Sequence, residues 1–212
     1  MELYIDDTKV DIDPRASDRL EDVLRQEQIK LYESGRLVVA LRCDGNEVPP
    51  GEMADTLERQ TSSFDRLDVL TSTKFDLVVD AMDQAAISLT QTEEACQRIA
   101  DGLSEGKTEE SMLAFGDCLS VWQQIHEAIS KSIAILAIDP QRMLVGGVPL
   151  VDVVNKPMVV LLRVKEALQS QDHVLLADTL KYEFSEVVQQ WQDVIVKLQG
   201  QAQSALQDAK ER

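Results

Sequence analysis

The feature that most constrains this chain is a repeat of mainly apolar residues, spaced alternately by four and three, after position 75. The first run is Val78, Met82, Ala85, Leu89, Thr92, Cys96, Ile99 and Leu103, and the second is Phe115, Leu119, Trp122, His126, Ile129, Ile133 and Leu136. This spacing is typical of the seam between packed helices. Gly102, Gly106 and Thr108 between the runs predict a helix stop and a cap, so we expect an antiparallel helical hairpin.

The remaining C-terminal sequence predicts two more helices. Residues 139–157 contain Gly146-Gly147 and three prolines, which indicates a crossover. A helix is then expected from about Met158 to Leu168, with Pro157 in its first turn and with Met158, Leu161, Val164 and Leu168 facing inward. The last helix is expected to begin near Asp172. Its inward residues are predicted to be Leu176, Leu180, Phe184, Val187, Trp191, Val194 and Leu198.

Residues 74–212 are therefore predicted to form an antiparallel bundle of about four helices. Because the last helix is long, the tail after Gly200 is expected to extend beyond its neighbours and to fray or pair with another chain. The segment 172–191, above all Leu175-Leu176-Ala177-Asp178, Tyr182-Glu183 and Trp191, resembles helical domains of uncharacterised bacterial proteins. That resemblance implies a fold and carries no mechanism.

Residues 1–73 predict a different kind of module. Two short β-prone runs, 3–5 and 9–12, read as a hairpin that Pro14 ends, and Ser17 can cap a helix that Gly35 stops. Residues 36–43 predict a central strand with an Asp44-Gly45 turn, and a short helix at 53–57 precedes a last strand at 66–71. This order resembles ubiquitin and its β-grasp relatives, so the fold class is predicted to be α+β, a small β-grasp domain followed by the bundle.

The resemblance to ubiquitin-like proteins implies a docking surface or a spacer. Conjugated members and sulfur carriers of that fold end in a flexible diglycine tail. Here the last strand runs through Thr73-Lys74 directly into a helix, and the Gly146-Gly147 pair lies deep in the chain. Conjugation and sulfur transfer are therefore not expected.

The charge of the chain limits the kinds of partner. The net charge is −17, and both 1–75 and 76–212 are acidic. Such a field repels phosphate backbones and anionic membranes, so we expect neither nucleic-acid nor membrane binding. The N-terminus lacks the basic start and apolar run of a secretory signal, and Cys43, Cys96 and Cys118 form no metal or disulfide pattern. A cytoplasmic protein with small buried cysteines is expected.

A search for chemistry finds no phosphate-binding glycine loop, no Glu-x-x-His pair and no nucleophile motif. We therefore predict neither catalytic residue nor metal nor cofactor, and Gly146-Gly147 is interpreted as a flexible connection. His126, at a seam position beside Trp122, is expected inside the bundle as a hydrogen-bonded core or boundary residue or as a ligand contact. Together with Trp191 and Tyr182, these two residues are the candidate ligand-binding set. Their helical spacing is more often typical of core residues than of a binding site.

Three functions remain open from the sequence. The favoured hypothesis is a non-catalytic adaptor or scaffold that binds a protein partner through an edge strand or the bundle surface. The alternatives are a cytosolic chaperone or assembly factor for a secreted or appendage component, and a helical bundle that binds a small molecule near His126. The C-terminal helix is also a candidate surface for homodimer formation.

Overall fold

The computed structural model describes residues 1–12, 15 and 18–210, and it divides into two compact units, Met1–Leu77 and Val78–Arg212. The first unit contains a five-stranded mixed sheet with helices, and the second is mainly helical. This confirms the predicted α+β class. The boundary between the units falls within the first turns of a helix that begins at Lys74.

The N-terminal unit is built on one sheet. Its elements are β1 Glu2–Ile5, β2 Thr8–Val10, α1 Leu20–Glu33, β3 Arg36–Cys43, β4 Asn46–Glu47, α2 Met53–Leu57 and β5 Arg66–Thr73. The strand order is β2-β1-β5-β3-β4, in which β1 and β5 are parallel and the other pairs are antiparallel. The predicted hairpin, helix, strand, short helix and last strand are confirmed. The strand break at Pro14 and the cap at Ser17 lie outside the described residues.

Two tight turns set the register of this sheet. Asp6 and Asp7 join β1 to β2, and Asp44 and Gly45 join β3 to β4, all with positive φ. Two-residue hairpins prefer turns with positive φ at both positions, because that twist matches the strands, and Asp and Gly tolerate this conformation best. The turns direct alternate strand residues toward α1. The resulting core consists of Leu3, Leu20, Leu24, Leu41, Cys43, Val48, Phe64, Leu67 and Val69.

The helical unit follows β5 without a linker. Its elements are α3 Lys74–Ser104, α4 Thr108–Ile135, β6 Leu144–Val145, β7 Val148–Pro149, α5 Leu150–Gln169, α6 His173–Asp178, a π-helical turn Thr179–Glu183 and α7 Phe184–Lys210. Thr73 and Asp76 cap the start of α3 reciprocally, since Thr73 donates its hydroxyl to Asp76 (2.7 Å) and accepts the Asp76 backbone N–H (3.1 Å). Every residue of the predicted α3 seam is buried, which confirms that run.

The predicted seam of α4 is right in period and wrong in phase. Helices α3 and α4 are antiparallel, since Cys96 lies against Cys118 and Gly102 against Ser111. The buried line on α4 is Ser111, Phe115, Cys118, Trp122, Ile125, Ile129 and Ser132. His126 is exposed, so the prediction that it lies inside the bundle is wrong. Both phases share three large residues, and the small side chains of the observed phase let the two helices approach closely.

Helix α5 begins eight residues earlier than predicted. It starts at Leu150, so Pro157 is an interior residue rather than a first-turn one. The longer helix buries Leu150, Val153, Val154, Pro157, Val160, Val164 and Ala167. Met158 and Leu168 face solvent, with 63% and 38% of their surface exposed, so their predicted inward orientation is wrong.

The crossover and the last helix complete the unit. Gly146 and Gly147 both have positive φ and form the two-residue turn of the β6–β7 hairpin, a more ordered role than the predicted flexible connection. All seven inward residues predicted for the last helix are buried, and Asp172 caps its start by accepting the Leu175 N–H (2.9 Å). The tail does not detach at Gly200, because Ala202 is fully buried.

Candidate binding groove in the helical unit

A cavity of about 300 Å³ lies between α4 and α5, over side chains of α7. We call it the aromatic groove. Eight of its eleven lining side chains are apolar. The lining residues are Leu119, Trp122, Gln123, His126, Val154, Asn155, Pro157, Met158, Leu161, Phe184 and Trp191.

The interior of the aromatic groove is a cluster of packed rings. The Trp122 ring lies 4.8 Å from the Trp191 ring and 5.3 Å from the Phe184 ring, measured between centroids. These distances and the tilts near 60° are in the favourable range for aromatic pairs. All three side chains are at least 95% buried, so the cluster is rigid and apolar. Only a small part of each ring is therefore accessible from the cavity.

A proline in α5 determines how Trp191 is held. Pro157 has no backbone N–H, so it leaves the carbonyl of Val153, four residues earlier, without its helical partner. Trp191 donates its indole N–H to that carbonyl, with an Nε1···O distance of 3.2 Å. The bond satisfies both buried groups and locks the Trp191 ring against α5.

The π-helical turn ahead of α7 sets which residues reach the groove. A π turn inserts one extra residue into a helix, which rotates all later side chains by about 100° relative to the earlier ones. Thr179–Glu183 forms this turn between α6 and α7. Phe184 and Trp191 follow it and face the groove, and Leu176 before it also faces the core. π turns of this kind occur frequently at functional sites.

The rim of the groove differs chemically from its interior. Gln123, His126 and Asn155 line it and are exposed. The His126 ring lies 5.9 Å from the Trp191 ring, measured between centroids, and is tilted by 34° relative to it. Met158 is exposed at the mouth, and Leu162, one turn further along α5, is also exposed. An apolar interior with a polar rim is the usual composition of a protein-binding surface.

The structure brings together three of the four candidate ligand-binding residues. Trp122, Trp191 and His126 line the aromatic groove, whereas Tyr182 is 66% exposed and is not among its lining residues. Phe184 and Pro157 were predicted only as core and helix-start residues. A proline within a helical pattern signals a freed carbonyl, and that signal points to the Val153–Trp191 contact.

The N-terminal unit has a separate apolar surface, which we call the β3 edge. Strand β4 pairs with β3 only at Arg42 and Cys43, so within the described chain the earlier part of β3 has no strand on that side. A hollow of about 570 Å³ lies between this part of β3 and α1. Ile29, Tyr32 and Leu37 line it and are exposed. This geometry can accept an added strand.

Other chemistry was sought across residues 1–12, 15 and 18–210. That part of the chain contains no group of three or more His, Cys, Asp or Glu side chains arranged to hold a metal ion. It also contains no helix with the length and hydropathy needed to cross a membrane. The three cysteines are free and buried, as predicted.

The fold defines a two-unit α+β protein with an aromatic groove in its helical unit. The chain belongs to the family described as Domain of unknown function (DUF8042), whose model matches residues 80–194, more than half of the chain. Residues 1–73 match the model described as TP0873 N-terminal domain. Comparison with curated proteins found no match, and neither did comparison with solved structures.

Proposed function

We propose that this protein is a non-catalytic adaptor that binds protein partners. The observation that carries the proposal is that each unit has its own apolar docking surface, the aromatic groove and the β3 edge. Adaptors need two surfaces because they hold two partners. The net charge of −17 favours partners with basic character.

For the aromatic groove we propose an amphipathic helix as the occupant. The groove runs between two helices, and exposed Met158 and Leu162 extend its apolar surface along α5 by one helical turn. A partner helix presents side chains at the same interval, so one can enter the cavity while the next covers Leu162. Methionine at the mouth adapts to side chains of different shape.

We further propose a ubiquitin-like β-grasp fold for the N-terminal unit, a four-helix bundle for the helical unit, and a cytoplasmic location. The strand order β2-β1-β5-β3-β4, with parallel central strands and one helix after the first hairpin, supports the β-grasp assignment. Antiparallel pairing of α3 with α4, and of α5 with α7 through Lys156–Glu186 and Arg163–Glu183, supports the bundle. Free buried cysteines support a reducing compartment.

The adaptor proposal is tested by capture with matched variants. Met158→Glu places a charge at the groove mouth, where Met158 is 63% exposed. Leu113→Glu places the same charge on a similarly exposed α4 position (72%) outside the groove. The full-length tagged chain should retain a stoichiometric partner from native lysate. Met158→Glu should reduce its retention at least tenfold, while Leu113→Glu retains it fully.

The next step uses a synthetic peptide that spans the binding segment of the captured partner. Trp122 and Trp191 are the two tryptophans of the chain and both line the groove, so selectively excited tryptophan emission reports on this site alone. The peptide should gain helical circular dichroism on binding and should shift this emission. Equal retention by both variants, or binding without any change in emission, would contradict a helix in the groove.

A small molecule is the second candidate occupant. The cavity volume is at the lower limit for ligand pockets, about 300 Å³, and its buried rings suit a flat apolar compound. A metabolite that raises the unfolding temperature of the wild type and shifts tryptophan emission, with a weaker effect on His126→Ala, would favour this function over the adaptor.

A further inference from the structure

Two buried cysteines face one another across the α3–α4 hairpin. The Sγ atoms of Cys96 and Cys118 are 3.3 Å apart, and both side chains are at least 95% buried. A disulfide requires about 2.05 Å between sulfurs, so closure needs a movement of little more than 1 Å. The proposed adaptor function does not require these two thiols.

The packing of the hairpin keeps the two thiols together. A Cβ atom on Gly102 would lie 2.5 Å from Ser111 Oγ, so the two helices are in close contact six residues from Cys96 along α3. The α3 seam residues on both sides of Cys96, Thr92 and Ile99, are also buried. The thiols therefore lie in a tightly packed seam, where each is the nearest reaction partner of the other.

The two thiols share one hydrogen bond, in which either sulfur can be the donor. The hydrogen bond with Cys118, together with burial, raises the pKa of Cys96, whereas the same bond lowers the pKa of Cys118. A thiolate is the nucleophile in thiol oxidation, so the thiol that ionises reacts first and the other one resolves.

The pair also lies next to the aromatic groove. Cys118 and Trp122 are four residues apart, so they lie on the same face of α4. The indole N–H of Trp122 is buried without a hydrogen-bond partner among the described residues. It lies near enough to Cys96 to oppose, in part, the rise in the pKa of that thiol that Cys118 and burial cause. Movement of the two sulfurs on disulfide formation should therefore displace the Trp122 ring, which forms part of the groove wall.

We propose that Cys96 and Cys118 are a redox modification site that forms a reversible disulfide and thereby alters the aromatic groove. With hydrogen peroxide as oxidant, the thiolate of one of the two cysteines attacks one peroxide oxygen, the O–O bond breaks, and hydroxide leaves, giving a sulfenic acid. The thiol of the other cysteine then attacks that sulfur, the S–O bond breaks and water leaves. The two sulfurs lose two electrons in total, and one peroxide, with two protons, becomes two waters. In a reducing cytosol the bond is transient.

The test counts thiols in the folded full-length protein. After peroxide treatment, quenching and unfolding, alkylation should label one thiol instead of three, and peptide mapping should link Cys96 to Cys118. A dithiol reductant should restore three. Cys43 has no cysteine neighbour and is the thiol expected to stay free. Cys118→Ser should block the linkage, and Cys43→Ser should preserve it.

The second readout is the groove itself. Oxidation should shift the emission of the two groove tryptophans in the wild type and in Cys43→Ser, and dithiol treatment should reverse the shift. If three thiols remain labelled in the peroxide-treated wild type, or if emission is the same in the dithiol and disulfide forms, the proposal is wrong. Both measurements on the wild type are decisive even if Cys118→Ser does not fold.

Discussion

The contact between Trp191 and the Val153 carbonyl yields a quantitative prediction, because Pro157 is the reason that the carbonyl is free. Trp191→Phe removes the indole N–H and leaves a buried carbonyl unpaired, which costs about 1–3 kcal/mol. It also removes two buried ring carbons, which costs about 1.5 kcal/mol more. The free energy of unfolding should therefore fall by about 2.5–4.5 kcal/mol.

The same substitution should be less harmful when Pro157 is replaced. In Pro157→Ala the alanine supplies a backbone N–H four residues after Val153, and a carbonyl oxygen can accept two hydrogen bonds. Trp191→Phe in that background should then cost only the packing part, about 1.5 kcal/mol. The predicted coupling between positions 157 and 191 is about 1–3 kcal/mol, above the 0.3–0.5 kcal/mol scatter typical of independent sites.

The assay is equilibrium urea unfolding of the four proteins in this double-mutant cycle. Far-ultraviolet circular dichroism is the suitable signal, since the substitution removes one of the two tryptophans. Val174→Ala, at a 72% exposed position of α6, is the control and should change stability by less than 0.5 kcal/mol. If Trp191→Phe costs the same in both backgrounds, the freed carbonyl is not what holds Trp191.

Two further predictions concern glycine packing and acid stability. Gly116 lies on the exposed face of α4 with open space around its Cβ position, so Gly116→Ala should stabilise the protein by about 1 kcal/mol. Gly102→Ala should lose that gain, because its Cβ would lie 2.5 Å from Ser111 Oγ. Thermal unfolding of the two variants compares these effects. Burial alone would raise the pKa of Asp6, but hydrogen bonds from Thr71 outweigh it and hold the pKa below its ordinary value. On acidification the unfolded chain therefore protonates Asp6 before the folded protein does. The contribution of Asp6 to the free energy of unfolding is complete above about pH 4, and it is lost as the pH falls through the lower pKa that Asp6 has in the folded protein. Asp6→Asn should narrow the stability difference between pH 7 and pH 3, and an unchanged difference would refute this.

Much of the N-terminal unit could be predicted from local sequence. Its strands and turns depend on neighbours in the chain, as at Asp44-Gly45, where two residues that tolerate positive φ follow a β-branched run. The pairing of β1 with β5 was not predicted, since the two strands are more than sixty residues apart. The local residue pattern predicts a strand and does not specify which other strand pairs with it.

The structure brings three of the four candidate ligand-binding residues, Trp122, His126 and Trp191, to the groove. The wrong inward orientations predicted for His126 and Met158 have the same origin. Helical periodicity locates an apolar stripe without deciding between adjacent residues when both sides are apolar. Cys118 is buried rather than Leu119 because α3 packs closely against α4 at this point. The periodicity of α4 alone carries no information about that packing.

The sequence by itself determined the α+β class, the acidic field, the positions of most helices and strands, and the seam of α3, because these follow from composition and local periodicity. Tertiary structure decided the phase of α4, the early start of α5 and the use of Pro157. It also decided that Cys96 and Cys118 lie against each other. Each of these depends on how separate elements pack against one another, which the local sequence pattern does not specify.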